Sequence, residues 1–118
     1  MFRNVWLLIG LVMVGAVFWV SLTPIPVQRV TFDYSDKLAH TAAYGLLMWW
    51  FAVTATNKPA LFIYAAAIAT MGISIEFLQE MTAYRHFDYA DMVANTLGVV
   101  AGWFMSIYLV PKPFQKVI

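Results

Sequence analysis

The sequence predicts an all-α polytopic membrane protein with four transmembrane helices in a compact bundle. Of 118 residues, 63% are hydrophobic and only 11% are charged, whereas a soluble domain usually carries about a quarter charged residues. The few charges are also unevenly placed, because Asp, Glu, Lys and Arg are absent from four long stretches. A helix needs about 20 mostly apolar residues to cross the hydrocarbon core. The charge-free stretches are 4–28, 38–57, 59–75 and 92–111.

The remaining residues are too few for a separate soluble domain or a nucleotide-binding fold. We therefore treat residues 1–118 as a single membrane domain, with membrane lipids as its main partner. The net charge of +1 gives no reason to expect a nucleic-acid partner. The chain contains no cysteine, which excludes disulfides, thiol catalysis and thiolate metal sites.

Turn and cap residues divide the chain into four helical segments. Pro24 and Pro26 end the first segment, because proline lacks an amide donor and restricts the residue before it. Ser35 is a plausible N-cap for the second segment, and 57–59 (Asn-Lys-Pro) form a turn before the third. The segments are expected to be helical because lipid-exposed backbone must satisfy its own hydrogen bonds. The predicted spans are 5–22, 37–54, 60–81 and 91–110.

Four spans place both termini on the same side of the membrane. Four basic residues lie on that side and three on the other, which favours cytoplasmic N- and C-termini. All six acidic residues then lie on the extracytoplasmic side. The five tryptophans are expected to anchor the helices at the membrane interfaces or to face the lipid. The basic residues on the two sides are Arg3, Lys58, Lys112 and Lys116, and Arg29, Lys37 and Arg85.

Polar and small residues recur every three or four positions on the second, third and fourth spans, so each set shares a helix face. Because the spans alternate in direction, the three stripes should meet at one depth near the extracytoplasmic boundary. Ionisable groups within membranes normally face the bundle interior and often mark function. The stripes are Lys37, His40 and Tyr44; Gly72, Glu76, Gln79 and Glu80; and Asp88, Asp91, Asn95, Gly98 and Gly102.

Small residues on the fourth span predict close helix packing. Gly98 and Gly102 form a small-xxx-small pattern, which lets helix backbones approach closely in lipid. Ala65, Ala69 and Gly72 have the same character on the third span. We favour packing inside one chain, and contact between copies in a homo-oligomer is the alternative.

The segment 36–47 opens with an Asp-Lys-x-x-His-x-x-x-Tyr pattern, and a second motif begins at Glu76 and continues to Gly98. These paired motifs resemble the VanZ-like family, and the resemblance covers about 33–102. That family consists of small bacterial membrane proteins, and its namesake is associated with teicoplanin resistance. The resemblance implies a location in the bacterial cytoplasmic membrane. It points to Asp36, Lys37, His40, Tyr44, Glu76, Gln79, Arg85, Asp88, Asp91 and Asn95.

The resemblance and the polar stripes together favour a protein that acts on, or binds, a lipid headgroup or lipid-linked envelope precursor at the extracytoplasmic leaflet. His40 is the natural general acid or base, with Glu76 or Asp91 to orient it or share its proton. Lys37 and Arg85 would hold a phosphate or carboxylate. No nucleophile is obvious, so whether the protein is an enzyme stays open. The other residues predicted to bind substrate are Asp36, Tyr44, Gln79, Asp88 and Asn95.

Two non-catalytic alternatives remain. The cluster would bind a headgroup without turnover, or it would be a structural network that joins the helices. Interhelical hydrogen bonds in membranes average only about 0.6 kcal/mol. A structural network would therefore add little stability for the number of ionisable groups that it places within the membrane. We expect no cofactor and no metal, because the two-histidine spacing of zinc enzymes is missing. A divalent metal on His40, Glu76, Asp88 and Asp91 is the less favoured alternative.

Overall fold

A computed structural model describes residues 2–23, 35–81 and 89–115, except for the side chains of Ser35 and Asp36. Within these ranges the chain is helical and contains no strand, which confirms the all-α prediction. Each of the four α-helices begins slightly before the span predicted from the sequence. The helices are α1 (Phe2–Leu22), α2 (Ser35–Ala52), α3 (Lys58–Glu80) and α4 (Tyr89–Tyr108), followed by a short 3-10 turn at Lys112–Phe114.

Three helices in the described part of the chain, α1, α3 and α4, are long and apolar enough to cross a membrane. The prediction of four such helices is therefore only partly confirmed, because α2 is too polar to qualify on composition. The first half of α2 carries Lys37, His40 and Thr41. Its second half supplies buried core residues. Both the polar and the apolar half of α2 therefore pack against other helices.

The second helix is the centre of the fold. It contacts α1, α3 and α4, and its contact with α4 is the most extensive one between any two helices described. Leu47 and Met48 of α2 are almost completely buried and pack with Ile68 and Ile75 of α3. In contrast, most of α1 is exposed. An apolar, exposed surface of this kind is what a lipid-facing helix presents.

Glycines bring the backbones of α2 and α4 together. A Cβ atom added to Gly98 would lie 2.5 Å from the Thr41 carbonyl oxygen and 2.9 Å from the Gly45 nitrogen. A Cβ atom added to Gly102 would lie 2.8 Å from Met48 Cβ. No side chain fits at either position without moving the backbone. The small-residue stripe of the fourth span thus packs inside one chain.

An aromatic cluster attaches α1 to α2 near the chain termini. The Trp6 and Trp50 rings stack with their centroids 3.8 Å apart. Each indole N–H donates to the backbone carbonyl of the other tryptophan, at 2.7 Å and 2.8 Å. Trp49 donates to the Leu109 carbonyl at 2.7 Å, which ties the end of α4 to the same cluster. These three tryptophans hold helices together, a role that sequence analysis did not assign to them.

The helices alternate in direction and place both ends of the described chain together. The Phe2 and Phe114 ring centroids are 5.5 Å apart, and Arg3 donates to the Thr54 carbonyl after α2. At the opposite end, the Gln79 amide donates to the Ser21 carbonyl at 2.8 Å. The start of α2, the end of α3 and the start of α4 therefore meet far from the termini, as the stripes require.

The glycine contact gives a stability prediction. We expect Gly98→Leu to lower the free energy of unfolding by about 1–3 kcal/mol or more, because an overpacked contact forces the backbones apart. Gly15→Leu is the matched control, since nothing lies within 4 Å of a Cβ added at Gly15. Thermal unfolding in detergent, together with abundance in the membrane, measures the effect. Equal stability of the two variants would contradict the close-packing interpretation.

Candidate functional site

Two polar contacts join the start of α2 to the start of α4. Lys37 Nζ lies 2.7 Å from Asp91 Oδ1, and His40 Nδ1 lies 2.9 Å from Asn95 Oδ1. Lys37 and His40 are three residues apart, and Asp91 and Asn95 are four apart. Each pair therefore occupies one helix face, and the antiparallel packing brings the two faces into register.

The contact with Asn95 determines the orientation of the His40 ring. An amide oxygen only accepts hydrogen bonds, so the neutral imidazole carries its proton on Nδ1 and donates it to Asn95 Oδ1. The lone pair is then on Nε2, which lies 3.9 Å from Asp91 Oδ2. The sequence predicted that Glu76 or Asp91 orients His40, and this stays a prediction; in the structure Asn95 contacts Nδ1 and Asp91 lies on the Nε2 side of the ring.

Two carboxylates lie beside this imidazole in the interior of the protein. Glu76 of α3 is completely buried and Asp91 of α4 is 8% exposed. One donor atom from each of His40, Glu76 and Asp91 lies within 4.8 Å of the other two. Buried carboxylates are costly unless positive charge or hydrogen bonds compensate for the lost water. Lys37, whose side chain is 26% exposed, supplies such a charge at the rim. We call Lys37, His40, Glu76, Asp91 and Asn95 the polar cluster.

Comparison with known families identifies the group to which the chain belongs. The family model described as VanZ/LLP1 matches residues 2–110. The chain belongs to the VanZ/LLP1 family. This confirms the resemblance seen in the paired sequence motifs. No curated protein and no solved structure matches the chain.

Two further predicted residues of this VanZ/LLP1 protein lie next to the polar cluster. Tyr44 is 2% exposed, and a Cβ atom added to Gly72 would lie 3.1 Å from both Tyr44 Cε2 and Asn95 Nδ2. Tyr44 therefore closes the cluster on its inner side, between α3 and α4. Gln79 is also buried, but its described hydrogen bond runs to α1. That bond joins two helices at the depth of the cluster.

Three predicted site residues lie outside the described part of the chain. They are the Asp36 side chain, Arg85 and Asp88, and the roles assigned to them stay predictions. One contributor was missed by sequence analysis. The Thr41 hydroxyl donates to the Ala94 carbonyl at 3.2 Å and adds a third link between α2 and α4. Its position four residues after Lys37 is the signal that places it on the same face.

The His40–Asn95 contact gives a spectroscopic prediction. At mildly alkaline pH, where free imidazole is neutral, we expect the His40 proton on Nδ1. Asn95→Leu removes the acceptor at similar volume and should shift the population towards the Nε2–H tautomer. Long-range ¹H–¹⁵N correlation spectra distinguish the two forms, and His86→Gln assigns the signals because the chain has two histidines. A wild-type His40 that is protonated on Nε2 would overturn the orientation described above.

Proposed function

We propose that this VanZ/LLP1 protein crosses the bacterial cytoplasmic membrane four times and binds the polar headgroup of a lipid or lipid-linked envelope precursor. The observation that supports this is the meeting of Lys37, His40, Glu76 and Asp91 at one end of an apolar bundle, opposite the termini. Ionisable groups placed within a membrane segment are costly and usually functional. The cytoplasmic termini predicted from the basic residues would put the cluster at the extracytoplasmic leaflet.

Three features support α2 as the fourth membrane helix. Its 18 residues span about 27 Å at 1.5 Å per residue, close to the thickness of the hydrocarbon core. It packs against all three apolar helices. Its polar residues Lys37, His40 and Thr41 contact α4, so lipid does not have to solvate them. A helix whose polar face is covered by its neighbours crosses a membrane without being apolar on all sides.

The chemistry of the cluster suits a charged headgroup. Lys37 is partly exposed and is placed to approach a phosphate or carboxylate from the rim. The two buried carboxylates suit an ammonium group or a cation that bridges to the ligand. His40, with its lone pair on Nε2 beside Asp91, suits proton transfer to or from a bound group or water. The same groups are equally suited to binding a headgroup without catalysis. Whether the protein confers resistance to teicoplanin is a question for a growth experiment.

Single cysteines test the topology, because the chain contains none of its own. Asn4 and Thr56 are exposed at the end that holds the termini, and Tyr89 is exposed at the opposite end. In intact cells, we expect a membrane-impermeant maleimide to label Tyr89→Cys but neither Asn4→Cys nor Thr56→Cys. Labelling of Asn4→Cys and Thr56→Cys with Tyr89→Cys protected would invert the orientation. Opposite results at Asn4→Cys and Thr56→Cys would show that α2 does not cross.

Teicoplanin resistance tests the functional role of the cluster. In a Gram-positive host at matched membrane abundance, we expect the wild type to raise the inhibitory concentration severalfold, while His40→Ala and Glu76→Gln do not. Glu80→Gln is the control, because Glu80 is exposed one turn further along the same helix. Equal protection by all variants would make the cluster a helix-joining network. No protection by the wild type would remove teicoplanin resistance from the proposal.

A further inference from the structure

We propose that His40, Glu76 and Asp91 bind a divalent metal ion, with Zn²⁺ as the best fit, although the residue spacing in the sequence made a metal the less favoured alternative. One donor atom from each residue lies within 4.8 Å of the others. These residues come from α2, α3 and α4, so the site exists only when the bundle is assembled. The proposal concerns the same cluster as the proposed function, but it does not depend on headgroup binding.

The donor spacing is close to that of an occupied site. Zinc bonds to imidazole nitrogen and carboxylate oxygen are about 2.0–2.2 Å long, which places the donors of a tetrahedral site about 3–4 Å apart. The distance of 3.9 Å between His40 Nε2 and Asp91 Oδ2 falls in that range. A small movement of the Glu76 side chain would bring its carboxylate oxygen, already within 4.8 Å of the other two donors, into the same range.

The contacts around the three donors are those that prepare ligands for a metal. A metal-bound histidine usually donates its other N–H to a fixed acceptor, which sets the tautomer and the ring direction. Asn95 Oδ1 is that acceptor for His40. Lys37 holds Asp91 by Oδ1, so the other oxygen, Oδ2, is turned towards His40 Nε2. The contacts made by Asn95 and Lys37 therefore leave His40 Nε2 and Asp91 Oδ2 facing the same space.

Charge and donor type narrow the choice of ion. Glu76 is completely buried and Asp91 nearly so, and a divalent cation between them would relieve their mutual repulsion. One nitrogen and two oxygens suit Zn²⁺ or Mn²⁺ better than Mg²⁺, which prefers oxygen ligands and retains several waters. Three protein ligands also leave a fourth zinc position open. That position would accept water or an anionic oxygen of the ligand.

Zinc titration of the full-length protein tests the proposal. The protein is purified in detergent, stripped with a chelator and titrated with Zn²⁺ against a competing indicator dye, and bound metal is counted by mass spectrometry. We expect one Zn²⁺ per chain in the wild type and in the control Glu80→Gln. His40→Asn and Glu76→Gln should weaken binding by more than tenfold. Asn95→Leu, which removes the contact at His40 Nδ1 and leaves the three donor residues in place, should weaken it by about 10–100-fold.

Thermal unfolding of the same samples separates a lost site from a lost fold. We expect Zn²⁺ to raise the melting temperature of the wild type and Glu80→Gln, and to leave that of a folded His40→Asn unchanged. Absence of stoichiometric binding to the wild type, or equal binding by folded His40→Asn, would overturn the metal site. No lipid is present in these samples, so that result would not contradict headgroup binding. Conversely, if the protein bound zinc but gave no resistance to teicoplanin, only the functional proposal would be contradicted.

Discussion

The close approach of α2 and α4 is the constraint on which the rest of the structure depends. Gly98 and Gly102 lie against the backbone of α2 around Gly45, with no room for a side chain between them. This contact fixes both the separation and the vertical offset of the two helices. Thr41 consequently reaches the Ala94 carbonyl, and the His40–Asn95 and Lys37–Asp91 contacts follow in the same register. If the helices moved apart by the width of a methyl group, all three links would lengthen together.

Different interactions join the helices at the two ends of the molecule. Near the termini, the Trp6 and Trp50 rings stack, and their indole groups satisfy backbone carbonyls. Such aromatic contacts combine large apolar area with one satisfied polar group. At the opposite end, charged and amide side chains replace aromatic rings, and Gln79 ties α3 to α1. The aromatic end, near the termini, joins the helices firmly. At the other end the ionisable groups of the polar cluster are held together, and they stay partly accessible beside the exposed part of Lys37.

The polarity of α2 is a consequence of the site it carries. A helix that supplies Lys37, His40 and Thr41 to an interior cluster cannot also be apolar throughout, which is why α2 is not among the helices that are apolar enough to cross a membrane. Its central position compensates for this, because α1, α3 and α4 surround it. Glu76 and Asp91 lie buried beside these α2 residues, in the cluster to which we assign the proposed function.

The sequence by itself determined the all-α fold, the helical segments, the meeting of three polar stripes at one end and the packing role of Gly98. These features follow from local rules, because charge-free length, turn residues and a three-to-four-residue spacing are visible along one chain. Only the tertiary structure decided which side chains meet. Asn95 Oδ1 contacts the Nδ1 atom of His40, Lys37 contacts Asp91, and Gln79 bonds to α1. Such pairings depend on the rotation and offset of whole helices, and non-local packing at the glycines sets both.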